Sequence, residues 1–163
     1  MRPVPVLVLL ALVAVLVSGL VPTVVRSAPP AASPTAASGD VAGLIDIGGR
    51  QVYLTCRGEG SPTVILEAGA GNDADTWDTV GLSPGSEQTA VLPGVAAFTR
   101  VCAYDRPGTL LDLEHRSRSD PATMPRSAAD VVTDLHALLH AADVPGPYVL
   151  AGHSFGGLVA RLY

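Results

Sequence analysis

One stretch constrains this chain more than any other. The apolar run Tyr148-Val149-Leu150-Ala151 leads into Gly152-His153-Ser154-Phe155-Gly156-Gly157, and Leu158-Val159-Ala160 follows as an apolar helix start. That order reads strand, sharp turn, helix. Glycines at 152 and 156 have no Cβ to clash as the chain reverses, and a serine at the apex of such a turn is held with its hydroxyl exposed. Ser154 is therefore a candidate nucleophile, with Gly152 and Gly156 as the residues that permit its turn. In a chain with 17 glycines the G-x-S-x-G pattern alone is weak, and the strand before it and helix after it give it weight.

Upstream, Ile45-Asp46-Ile47 and Arg50-Gln51-Val52-Tyr53-Leu54-Thr55-Cys56 flank Gly48-Gly49 and read as a hairpin. Thr63-Val64-Ile65-Leu66 is a near-continuous apolar run of the kind buried on both faces in a parallel sheet. Residues 73–80, with Trp77 as a packing residue, open a helix or a covering loop. Residues 81–93 form a polar, Pro/Gly-rich excursion, with order resuming near Val95. Residues 99–105 form the next buried strand, and Arg106-Pro107-Gly108 turns out of it.

Residues 109–125 hold Asp112, Glu114, His115, Arg116, Arg118 and Asp120 and read as an exposed polar loop, because no metal-ligand spacing repeats among them. Ser127 and Asp130 form a capping-box variant opening a helix whose apolar face is Val131, Leu135, Leu138, Leu139 and Ala142. His136 and His140 are four apart on it, and without a third ligand they read as surface residues. No metal or cofactor is expected.

The N-terminus differs in kind. Residues 4–17 are apolar but for Pro5, after a single Arg2, and small residues follow. Residues 1–26 read as an export signal or, if uncleaved, a membrane anchor. Either way the remainder is expected outside the cytoplasm, secreted or anchored, with membrane contact only through this segment. Residues 27–40, rich in Ala, Pro and Ser, read as a disordered linker, and residues 41–163 as the folded part. Setting aside Arg2 and Arg26 leaves eight basic against 15 acidic side chains, a surface that does not invite nucleic acid.

Gly152 to Gly157 after an apolar strand, with Ile65-Leu66-Glu67-Ala68-Gly69-Ala70-Gly71 and Ala103-Tyr104-Asp105-Arg106-Pro107-Gly108 upstream, resembles the N-terminal half of an α/β-hydrolase. The likeness is greatest to exported bacterial esterases, lipases and peptidase-like members, and it covers about residues 41–163. It implies an α/β fold, mostly a parallel sheet entered through an antiparallel hairpin, ending just after the turn at Ser154. In the family the loop after the third strand often reads His-Gly-x. By resemblance Ala68 takes the histidine position, Gly69 is the glycine, and the backbone N–H groups of Ala70 and Phe155 form the oxyanion hole. Asp105 is then structural. The family's strand order, 1-2-4-3-5, places Cys56 and Cys102 on neighbouring strands. A disulfide and two inert buried thiols both remain open.

The family's chain order is serine, then acid, then histidine. Nine residues follow Ser154, none of them acidic or histidine, so both relay partners are expected outside this chain, the 163 residues alone are expected to be inactive, and the sequence reads as a fragment or a truncated gene product. His153 cannot substitute, because neighbouring side chains at the turn point apart. Two functions stand. One is a serine-dependent hydrolase of ester, thioester or amide bonds in a small-molecule or lipid-like acyl substrate. The other is an inactive exported module that acts, if at all, by binding through an exposed apolar edge.

Overall fold

The computed structural model describes residues 39–80 and 88–163. The segment expected to be a signal or anchor, and nearly all of the expected linker, lie outside them. Five strands form one sheet in the order β1-β2-β4-β3-β5, with β1 Val41–Asp46, β2 Gln51–Arg57, β3 Thr63–Glu67, β4 Val101–Tyr104 and β5 Tyr148–Gly152. β1 pairs antiparallel with β2, and β2 antiparallel with β4. β3 runs parallel to both β4 and β5. The hairpin turn is set by Gly48 and Gly49, at φ 99° and 92°, whose N–H groups both donate to Asp46 Oδ1.

Period-two alternation sorts the strand side chains into two layers. Ile65, Cys102 and Tyr104 join Val52 and Leu54 on one face, under Leu135, Leu138 and Leu139 of α2 (Ala128–Ala141). Leu66, Val101 and Ala103 face the other way, against Leu92 of α1 (Val91–Ala96) and Ala74 of a 3-10 helix, Ala74–Trp77. Every β4 residue is buried because both its faces are covered. α3 (Phe155–Leu162) packs on β5, α2 and β3, and its Val159 is buried. Among the described residues β5 forms a sheet edge, with Val149 48% exposed and Leu158 of α3 54% exposed beside it.

Three expectations shift. Order resumes at Val91, not Val95, because Pro93 falls in the first turn of α1, where no intrahelical donor is lost. The fourth strand begins at Val101, not Thr99. Residues 109–125 are not uniformly an exposed loop. Ser117 and Ser119 are buried, and Asp120 is stitched to β2 through Gln51 N to its Oδ2 at 2.7 Å. Ser119 Oγ accepts from Tyr53 N and donates to Asp105 O, backbone needs that composition does not reveal.

The α2 cap is reciprocal: Asp130 N donates to Ser127 Oγ at 3.2 Å, and Ser127 N to Asp130 Oδ2 at 2.8 Å. His136 and His140 lie on its exposed face.

Cys56 and Cys102 stand directly opposite in the β2–β4 ladder and are joined as a disulfide, with Cα atoms 4.0 Å apart. The link closes a loop of 46 residues, for which chain entropy assigns about 4 kcal/mol. The Cys56→Ala/Cys102→Ala protein is expected to lose stability up to that amount in urea titration. Reductant should shift the midpoint of the wild type and leave the double variant unmoved.

Candidate active site

β3, β4 and β5 are parallel, so their C-terminal ends open on one edge of the sheet, the edge where sheets of this kind place ligands. The turn between β5 and α3 puts Ser154 at φ 55° and ψ −121°, a left-handed backbone rare for a residue with a Cβ. Such strain costs on the order of 1–3 kcal/mol and persists only where the surroundings impose it. Serine at a helix N-terminus ordinarily caps the first turn, yet here its side chain makes no capping bond. The hydroxyl is left exposed, without a hydrogen bond among the described residues.

The surroundings that impose the turn are backbone. Glu67 O at the end of β3 accepts from His153 N at 3.0 Å. A methyl on Gly156 would stand 2.0 Å from that same carbonyl oxygen, and a methyl on Gly152 would stand 2.5 Å from the Gly156 carbonyl. The two positions therefore admit glycine alone. The His153 ring lies away from this contact, against Gly69, where a Cβ would meet its Nδ1 at 2.9 Å.

Beside the turn, residues 69–72 form a second one. Asn72 N donates to Gly69 O at 3.4 Å, and Gly71 adopts φ 73°. The N–H groups of Ala70 in this loop and of Phe155 at the start of α3 have no partner among the described residues. Both residues border one cavity of about 280 Å³, whose wall also includes Pro107, Leu110, Met124 and Val131, together with Arg106 and Arg126. Ser154 stands at the residue next to that lining rather than within it.

Four charged residues beneath these loops escaped the sequence reading or received no more than a turn role from it. Asp105 is fully buried; its Oδ1 accepts from Ala74 N and Arg118 Nη2, and its Oδ2 from Arg118 N and Nε. This carboxylate lifts the Arg118 guanidinium above its ordinary pKa, and it ties the 3-10 helix and residues 117–120 to the end of β4. Arg106, 5% exposed, donates to Ala68 O at 2.5 Å and to Gly69 O, and its Cζ lies 5.5 Å from the Phe155 ring centre. On α2, Asp134 is held by Arg50 and Arg126 at 2.9 and 2.6 Å.

Glu67 is the fourth. It is fully buried, receives the Tyr104 hydroxyl on Oε2 at 3.0 Å, and leaves Oε1 without a partner. Burial pushes its carboxyl up to about 7 against the opposing pulls of the Tyr104 hydrogen bond and the Arg106 charge. Burial, and then the neighbouring Glu67, raises the Tyr104 phenol as well. A lone acidic residue ending an apolar strand is the signal that could have singled Glu67 out.

Gly156→Ala should lose on the order of 3 kcal/mol by overpacking, whereas Gly157→Ala, whose methyl would meet nothing closer than 3.9 Å, should gain up to about 1 kcal/mol from helix propensity. Equal effects in urea titration would show that the close approach is not what selects glycine at 156. Because the folded Glu67 carboxyl holds its proton to about pH 7 and the unfolded one releases it near 4.5, its contribution to stability is full below pH 4.5 and fades as pH rises through 7. Relative to Glu67→Gln, the wild type should lose up to about 3 kcal/mol across that window. A constant difference between their melting curves from pH 4 to 8 would refute it.

Comparison with known proteins adds an independent line. Residues 64–163 match the model of the alpha/beta hydrolase family. A Hormonema carpetanum protein named "Probable transporter efuK" is 28% identical over 135 residues, 80% of this chain and 17% of that protein. Among solved structures, a serine hydrolase involved in carbazole degradation, the CarC enzyme, superposes with TM-score 0.55 at 21% identity, over 74% of this chain and 41% of its own. The epoxide hydrolase CorEH superposes with TM-score 0.56 at 21% identity, over 74% of this chain and 36% of its own. The chain thus spans less than half the length of each of these proteins. A match to the family's model over more than half of the residues, on a mixed sheet in the order 1-2-4-3-5, establishes that this chain belongs to the alpha/beta hydrolase family.

Proposed function

We propose that the protein is a serine-dependent hydrolase of ester, thioester or amide bonds, in which Ser154 is the nucleophile. The observation that carries the reading is the Ser154 backbone, strained at φ 55° with a side chain that caps nothing. A fold of this kind also serves epoxide opening, so the residue at the turn, not the fold, argues for acyl chemistry. Ser154 Oγ adds to the substrate carbonyl carbon as its proton passes to a base. The carbonyl oxygen becomes an oxyanion held by the Ala70 and Phe155 amides. Collapse breaks the bond to the leaving group, which takes up the proton, and water then repeats the addition on the acyl-serine and releases the acid. Base and orienting acid are supplied from outside the described residues.

The apolar wall of the cavity beside Ala70 and Phe155 supports a small-molecule or lipid-like acyl group as substrate. The Cys56–Cys102 disulfide supports an oxidising compartment outside the cytoplasm, reached through the apolar N-terminal segment. Among the described residues no helix is long and apolar enough to cross a membrane. The second reading, an inactive binding module, is favoured by the exposed apolar side chains along β5 and α3. A fluorophosphonate probe, applied to the protein with its base and acid in place, separates the two: labelling of the wild type that disappears in Ser154→Ala is expected. A folded protein that never labels, or a Ser154→Ala variant that labels equally, would refute the serine reading.

A further inference from the structure

We propose that Arg106 is the positioning residue of the oxyanion hole, one buried guanidinium that aims the Ala70 and Phe155 amides at a common point. The inference rests on the serine reading of the site and names what holds its donors in place.

In a planar trans peptide the carbonyl and the N–H of the next residue point in opposite directions. Anchoring Gly69 O therefore fixes the direction of Ala70 N–H. Within the loop the sole anchor on that oxygen is the long Asn72 bond of 3.4 Å. Arg106 adds a charge-assisted bond to Gly69 O and another to Ala68 O, so two successive carbonyls are gripped by one planar fork. The Ala70 amide is left facing away from the arginine.

The same guanidinium faces Phe155, 5.5 Å from the ring centre, so the side chain of the second donor residue packs on the group that holds the first. Phe155 opens α3, and its register is otherwise set by the Gly156 contact with Glu67 O. With 5% exposure, Arg106 has its charge met by two carbonyl dipoles and an aromatic face. A lysine there would keep the charge but lose the fork, and could not hold both carbonyls in one plane.

The test uses the full-length protein with the fluorophosphonate probe and 4-nitrophenyl butyrate. Arg106→Lys should label Ser154 about 10- to 100-fold more slowly than wild type, a part of the loss that follows removal of an oxyanion donor. kcat for the ester should fall in parallel while KM stays within threefold, since the interaction strengthens only as the oxyanion forms. Labelling within twofold of wild type in a folded Arg106→Lys protein overturns the inference. Should that variant fail to fold, Phe155→Leu, which keeps the amide and removes the stacked ring, is read instead: slowing of threefold or more supports the inference, and an unchanged rate overturns it. A wild type that does not label refutes the serine reading. Positioning is then decided by a crystal structure of Arg106→Lys, supported by a rotated Gly69–Ala70 peptide and overturned by one that superposes on the wild type.

Discussion

The carbonyl of Glu67 and the Cα of Gly156 approach so closely that no side-chain atom fits between them, and the same carbonyl accepts the His153 amide. This backbone contact joins the end of β3 to the turn after β5. It holds the chain at Ser154 in a conformation that a serine does not otherwise favour. It also brings the loop bearing Ala70 beside the first turn of α3. Without it the strand, turn and helix would each persist locally, and their relation would not.

Around that contact the loops are held by charge rather than by apolar packing. Asp105 gathers four N–H groups from two segments, Arg106 grips two carbonyls of a third, and Asp134 binds two arginines from the start of β2 and the approach to α2. Loops at a sheet edge expose many backbone groups and offer few apolar side chains, so buried polar anchors must satisfy them. An anchor of this kind specifies direction as well as distance, which apolar packing does not. Glu67 fits the pattern less completely, since one of its oxygens lacks a partner while burial favours its neutral form.

Much of the fold is legible in local pattern. The Gly48-Gly49 turn, the two-sided burial of the 63–66 run, the Ser127–Asp130 cap and the strand-turn-helix around Ser154 are each written within about a dozen residues, and local propensity and periodicity decide them. The strand order came from the family resemblance and not from any residue pattern. The buried part of 109–125 is hidden because its exposed tip dominates the composition, while Ser119 is drawn in by the β2 backbone 66 residues away in sequence and Ser117 by the Arg106 carbonyl.

By itself, then, the sequence determined the elements, the position of Ser154 at a glycine-flanked reversal, and the apolar faces that make two layers. Tertiary structure alone decided what surrounds the serine: Arg106 meets Ala68 across 38 positions, Tyr104 meets Glu67 across 37, and Asp105 meets Ala74 across 31. An apolar residue signals burial through its own chemistry and periodicity. A buried charge is identified only by its partner, and these partners become neighbours once β3, β4 and β5 align in one sheet.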